Sequence, residues 1–153
     1  MSKAEKAKEL FMQGANCAQA VFGAFAEECG LTQEEAFRIA SGFGAGLARM
    51  REVCGTVSGM TLVANYLRGN GNITDKAAKD AHYDLVQKMA EAFKAETGSI
   101  VCRVLLGLPG DCPQSPVSEP RTPQFYRKRP CAELCALAAS IAEKYLLGVK
   151  PET

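Results

Sequence analysis

The chain has 153 residues, of which 47% are hydrophobic and 23% charged, the composition of a single globular domain. Lys plus Arg number 18 and Asp plus Glu 17, a net charge of +1, which lacks the basic excess of a dedicated nucleic-acid binder. Trp is absent and there are 7 Phe and 4 Tyr, too few for a base-stacking platform. The outlying number is 7 Cys against 1 His.

The N-terminus, MSKAEKAKEL, is charged from its third residue and has no apolar core of a secretory signal. The two longest apolar-leaning stretches, 17–26 and 131–149, are interrupted by polar and charged residues and fall short of the ~20 apolar residues of a membrane span. A cytoplasmic protein without a membrane partner is the expectation. Cytosolic thiols are kept reduced, so 7 cysteines point to metal binding or redox chemistry before structural bridges. The competing reading of any one of them is a small buried hydrophobe.

In chain order, Ser2-x-x-Glu5 forms a capping box. It opens a helix with Ala4, Ala7 and Phe11 on one stripe, stopped by Gly14. Asn16 is an N-cap for a second helix carrying Cys17, Val21, Ala24 and Phe25, ended by Gly30. Thr32-x-x-Glu35 opens a third, through about residue 40. A glycine-rich turn, Gly42-Phe-Gly44-Ala-Gly46, precedes a helix over about 53–67 with Val57, Met60, Thr61, Ala64 and Leu67 facing inward. Thr74 is the predicted cap of the longest helix, about 75–97, where Ala78, Ala81, Leu85, Met89, Ala92 and Phe93 recur at spacings of three and four. Ser99 caps a short turn over 100–106. Residues 107–129 contain Pro109, Pro113, Pro116, Pro120 and Pro123, a density that forbids regular helix. A loop of that length is functional or disordered. The last helix, about 130–147, carries Cys131, Leu134, Cys135, Ala138, Ile141, Ala142 and Tyr145 on one stripe and ends at Gly148. The prediction is one all-α domain over 1–153: a bundle of six or seven helices with a long proline-rich loop before the last.

No two cysteines are spaced Cys-x-x-Cys, which counts against a thioredoxin-type dithiol, a zinc ribbon and a bacterial-type ferredoxin. Their positions relative to helices are more informative. Cys17, Cys54, Cys102 and Cys131 each fall at a predicted helix start, where partial positive charge lowers a thiol pKa. Arg49, Arg51, Arg103, Arg127, Lys128 and Arg129 lie close by in sequence. Four such thiolates, if they converge, form a site for a cationic cluster; convergence is not legible from the sequence. Cys29 falls at a helix C-terminus, Cys112 in the proline loop, and Cys135 one turn after Cys131.

The segments Asn16-Cys17-Ala18-Gln19-Ala20-Val21, Gly42 to Gly46, Cys54-Gly55-Thr56-Val57-Ser58-Gly59 and Cys102-Arg103-Val104-Leu105-Leu106-Gly107, followed by a final helix led by Cys131, resemble the C_GCAxxG_C_C family, described as redox-active. The resemblance implies that Cys17, Cys54, Cys102 and Cys131 are the family's defining cysteines. Thr56 stands where the family has Ala in its Cys-Gly-Ala-x-x-Gly motif, and Cys135 where it has an aliphatic residue, so that Cys135 competes with Cys131 as the fourth ligand. A similar domain occurs in split-Soret cytochromes, which are associated with an iron–sulfur centre; the analogy favours a cluster.

Three readings follow. In the first, the four cysteines ligate an iron–sulfur cluster for electron transfer or sensing, with Gly55, Gly59 and Arg103 contacting the cofactor. In the second, a thiol–disulfide oxidoreductase without metal, Cys54 or Cys17 attacks and another cysteine resolves. The third is a structural zinc module, for which only Cys131 and Cys135 offer knuckle-like spacing. The expected partner is an unidentified redox protein, and the sequence leaves a homo-oligomer open. Gly42-x-Gly44-x-Gly46 lacks the strand and the Lys-Ser/Thr of a phosphate loop. His82 reads as a surface or boundary residue, and the basic stretch 121–129 as a solvated loop or an acidic partner's docking site. With one histidine and no elbow motif, no Ser-His-Asp set can be argued.

Overall fold

The computed structural model describes residues 1–110 and 114–148, and these are all-α apart from one isolated bridge between Val53 and Val101. The helical elements are α1 (Lys3–Met12), α2 (Cys17–Ala24), α3 (Gln33–Ala40), α4 (Gly44–Leu47), α5 (Gly55–Arg68), α6 (Lys76–Thr97), α7 (Cys102–Leu105), α8 (Pro123–Lys128) and α9 (Cys131–Leu147). No helix among the described residues is long and apolar enough to cross a membrane.

The capping chemistry sets the starts. Ser2 with Glu5, Asn16 with Gln19, and Thr32 with Glu35 each form a reciprocal box, satisfying backbone donors that a helix start leaves free. Gly98 and Gly148 close α6 and α9 in the left-handed conformation. The long helix starts one residue later than predicted, because Asp75 rather than Thr74 accepts from the Ala78 N–H. The proline loop contains a helix that the sequence reading excludes. Thr122 caps α8 and Pro123 occupies its first turn, the one place in a helix where the missing proline N–H costs nothing.

At the centre lies α2, which is buried on every side and packs against α1, α3, α5 and α9. A helix apolar all round belongs inside a core. Phe11, Phe22, Phe25, Met60, Met89 and Phe93 are the largest side chains in that core. By contrast α6 buries only Met89 and Phe93. The alanines and Leu85 of its first half stay partly or fully exposed, because this half runs past the edge of the bundle.

Contact between α2 and α5 requires glycine. A Cβ at Gly59 would stand 2.9 Å from Val21 Cβ and 3.0 Å from Ala18 O, so the two backbones approach more closely than a side chain permits. Gly59→Val therefore destabilises the fold by about 1–3 kcal/mol, the usual cost of overpacking. Urea unfolding measures it, and an unchanged midpoint would contradict this packing.

Candidate functional site

Each of the four helix-start cysteines is delivered by its own local device. Cys17 is the first residue of α2, immediately after the Asn16–Gln19 capping box. Cys54 is the N-cap of α5, and its N–H donates to Ile100 O at 2.7 Å. Cys102 is the first residue of α7, and its N–H donates to Glu52 O at 2.6 Å. These two bonds and the Val53–Val101 bridge tie the segments carrying Cys54 and Cys102 together. Cys131 is the first residue of α9, after Pro130.

All four line one cavity of about 130 Å³. Cys17, Cys54 and Cys102 are buried and Cys131 is half-buried. Phe11, Leu105, Leu106, Phe125 and Leu134 give the cavity apolar walls, and Arg49, Arg51, Arg121 and Arg129 also line it. Cys135 is fully buried behind Cys17, donating to Cys17 O at 3.9 Å, and is not part of the lining. Cys29 lies elsewhere at the edge of the core. Cys112 lies outside the described residues. The six described cysteines are free thiols.

One wall is a left-handed turn. Five consecutive residues, Ala45 to Arg49, have φ between 49° and 71°. Four of them carry a Cβ, at a cost of roughly 1–2 kcal/mol each, the kind of local strain concentrated at functional sites. The fifth, Gly46, could not be otherwise. A Cβ there would lie 2.6 Å from both Arg51 Cα and Cys102 Cβ. The turn leads Arg51 into the interior, where it is 5% exposed and its Nη1 donates to Cys102 Sγ at 3.8 Å. On the other side of the site, Thr56 Oγ1 lies 3.1 Å from Cys54 Sγ.

The proline-rich loop supplies the cover. The Arg121 guanidinium stacks over Phe11 at 4.5 Å and Phe125 at 4.9 Å, and donates to Phe11 O and Ala15 O at 3.0 and 2.9 Å. Glu119 pairs with Arg129 at 2.5 Å and with Arg49 at 3.9 Å. The basic stretch 121–129 is thus divided. Arg121 and Arg129 are engaged inside the molecule, whereas Arg127 and Lys128 are exposed.

The thiol electrostatics run opposite to the expectation from helix starts. Burial pushes Cys54 up from 9.0 to about 11, against hydrogen bonds from Thr56 that pull it down. Burial also raises Cys102, and the Arg51 hydrogen bond only partly offsets it. For Cys17 the contact with Cys131 lowers the pKa, but the contact with Cys135 and burial together drive it well up. Cys131 is raised by its hydrogen bond to Cys17 and by burial. Desolvation of the thiolate outweighs half a unit of helix charge. The raised pKa values keep these thiols neutral in the absence of a cation, and thiols ionise when they bind one.

Among the described residues, no three His, Cys, Asp or Glu side chains are drawn together as ligands of one ion. A tetrahedral zinc site with Zn–S of about 2.3 Å needs sulfurs roughly 3.8 Å apart. The four cysteines share the lining of one cavity.

The model of one protein family, described as "Putative redox-active protein (C_GCAxxG_C_C)", matches residues 15–145. The chain belongs to this family. No curated protein and no solved structure matches it. The matched segment includes all four cavity cysteines and the left-handed turn. Of the other residues singled out in the family motifs, Gly55 lines the cavity, and an added Cβ there would lie 3.1 Å from Cys17 Cβ. Gly59 sits one turn further along α5, between helices rather than at the cavity. Arg103 also lies outside the lining, its guanidinium donating to Pro109 O and Met50 O.

Because the folded pKa of Cys54 lies above the ordinary thiol value, the metal-free protein is stabilised below about pH 9 and loses that stability as pH rises toward about 11. Cys29, also raised to about 11, acts in the same direction. Cys54→Ser removes up to ~3 kcal/mol of this alkaline loss. Denaturant unfolding at stepped pH tests it, and a parallel profile for the variant would contradict it.

Proposed function

We propose that this chain is a redox protein whose cavity holds an iron–sulfur cluster on the sulfurs of Cys17, Cys54, Cys102 and Cys131. The observation that carries the reading is the donor set: four thiols from four different helix starts around one apolar cavity of about 130 Å³. Four cysteines are the usual ligand count of a [2Fe–2S] or [4Fe–4S] centre. When bound, such a centre supplies one-electron transfer. The rest is the work of the chain. The Thr56 N–H supports the Cys54 sulfur, the arginines offset the negative charge of four thiolates, and Phe11, Phe125 and Leu134 exclude water. Cys131 rather than Cys135 completes the set on this reading, since Cys135 does not reach the lining.

A second reading has one observation in its favour. Cys17 and Cys131 are near enough for each to shift the other's pKa. A thiol pair so placed forms a disulfide by giving two electrons to an oxidant and releasing two protons. Against it stands burial, which raises the pKa values of both thiols, whereas an attacking thiol needs a thiolate and access.

Iron and acid-labile sulfide, measured on protein purified without oxygen, separate the readings. The cluster reading predicts both, with visible absorbance, in the unaltered chain and in Cys135→Ser. It predicts loss of most of both in Cys17→Ser, Cys54→Ser, Cys102→Ser or Cys131→Ser. Zinc without sulfide would establish a structural zinc module. Metal-free protein that converts Cys17 and Cys131 to a disulfide would establish the dithiol.

A further inference from the structure

Two of the four cavity sulfurs have a polar partner from outside the cysteine set. Cys102 has Arg51 and Cys54 has Thr56. We propose that Arg51 and Thr56 are positioning residues that hold hydrogen bonds on the Cys102 and Cys54 sulfurs and thereby raise the reduction potential of the cluster. This rests on the cluster reading above and names the residues that tune it.

Arg51 is a buried guanidinium, and a buried charge persists only with partners. Its Nε donates to Gln114 Oε1 at 3.3 Å and its Nη1 to Cys102 Sγ at 3.8 Å. A neutral thiol accepts weakly, whereas a metal-bound thiolate is an anion and accepts a charge-assisted bond. The backbone builds this pairing deliberately. Arg51 itself has φ 62°, its carbonyl accepts from the Arg103 N–H at 3.1 Å, and the neighbouring Glu52 carbonyl accepts from Cys102 N–H. Gly46 leaves the space in which Arg51 and Cys102 meet. A lysine at this position would supply charge but not the fork that reaches both Gln114 and the sulfur.

Thr56 is fully buried, in the first turn of α5. Thr61 and Thr97 turn their hydroxyls back to the carbonyls of Val57 and Phe93, the usual helical outlet. The Thr56 hydroxyl instead lies against Cys54 Sγ. Both partners therefore place positive charge, full or partial, on ligand sulfurs. Reduction adds one electron from an external reductant without forming or breaking a bond. The added negative charge is stabilised by these donors, so their removal lowers the potential.

The test is an anaerobic potentiometric titration of the full chain loaded with iron and sulfide, with Thr56→Val, Thr56→Ser, Arg51→Met and Arg51→Lys compared to the unaltered protein. Arg51→Met is expected to lower the reduction equilibrium constant roughly tenfold, ~59 mV for one electron. Thr56→Val lowers it several-fold, Thr56→Ser restores it, and Arg51→Lys recovers part of it. If Arg51→Met does not fold, the Thr56 pair decides. Full loading with an unchanged potential in Thr56→Val and in whichever Arg51 variant folds would overturn this inference alone. An unaltered chain that takes up no iron and sulfide would overturn the cluster reading and this inference with it.

Discussion

Close approach of α2 and α5 is the constraint on which the site depends. Both helices begin with a cavity cysteine, and the glycine that follows Cys54 lets its backbone come against Cys17 and Ala18, where an added Cβ would lie 3.1 Å from Cys17 Cβ. Gly55 and Gly59 together hold the first turns of α5 against α2. The other two cysteines are then placed by reference to this pair. The backbone bonds from Cys54 to Ile100 and from Cys102 to Glu52 bring α7 to the same point. The packing of α9 across α1, α2 and α5 sets Cys131 beside Cys17.

Four helix starts directed at one space produce a definite electrostatic character. Their N–H groups and the lining arginines are positive, while the thiols, dehydrated by the apolar walls, remain neutral when nothing balances them. On the proposed reading, a ligand that brings its own positive charge ionises the thiols, and the arginines then stabilise the anionic assembly. The strain in Ala45 to Arg49 belongs to the same design. The left-handed path carries the chain from α3 past Cys102 to the buried Arg51. The proline-rich loop completes the enclosure, with Arg121 locked between Phe11 and Phe125 and bonded to the end of α1.

Much of this was legible because helix starts are written locally. Ser2, Asn16 and Thr32 announce their helices three residues ahead, and the placing of Cys17, Cys54, Cys102 and Cys131 at helix starts follows from reading caps and prolines. The Thr122-Pro123 start of α8 was equally local and was obscured by the count of prolines around it. What could not be read is tertiary. Nothing in the sequence says that five residues after Gly44 adopt positive φ, since four of them are not glycine. The direction of the thiol pKa values depends on burial, which outweighs the helix-start effect that the sequence does suggest. Arg51 and Thr56 reach their sulfurs through backbone geometry that no spacing encodes, although both lie within three residues of Cys54.

The central claim is that the four cavity thiols together hold a metal–sulfur cluster. Iron-edge X-ray absorption on protein purified without oxygen tests it most directly. The prediction is an iron site surrounded by sulfur alone, with scattering from a second iron close by. Iron in a nitrogen and oxygen shell, or a zinc ion held by sulfur with no iron present, would contradict it.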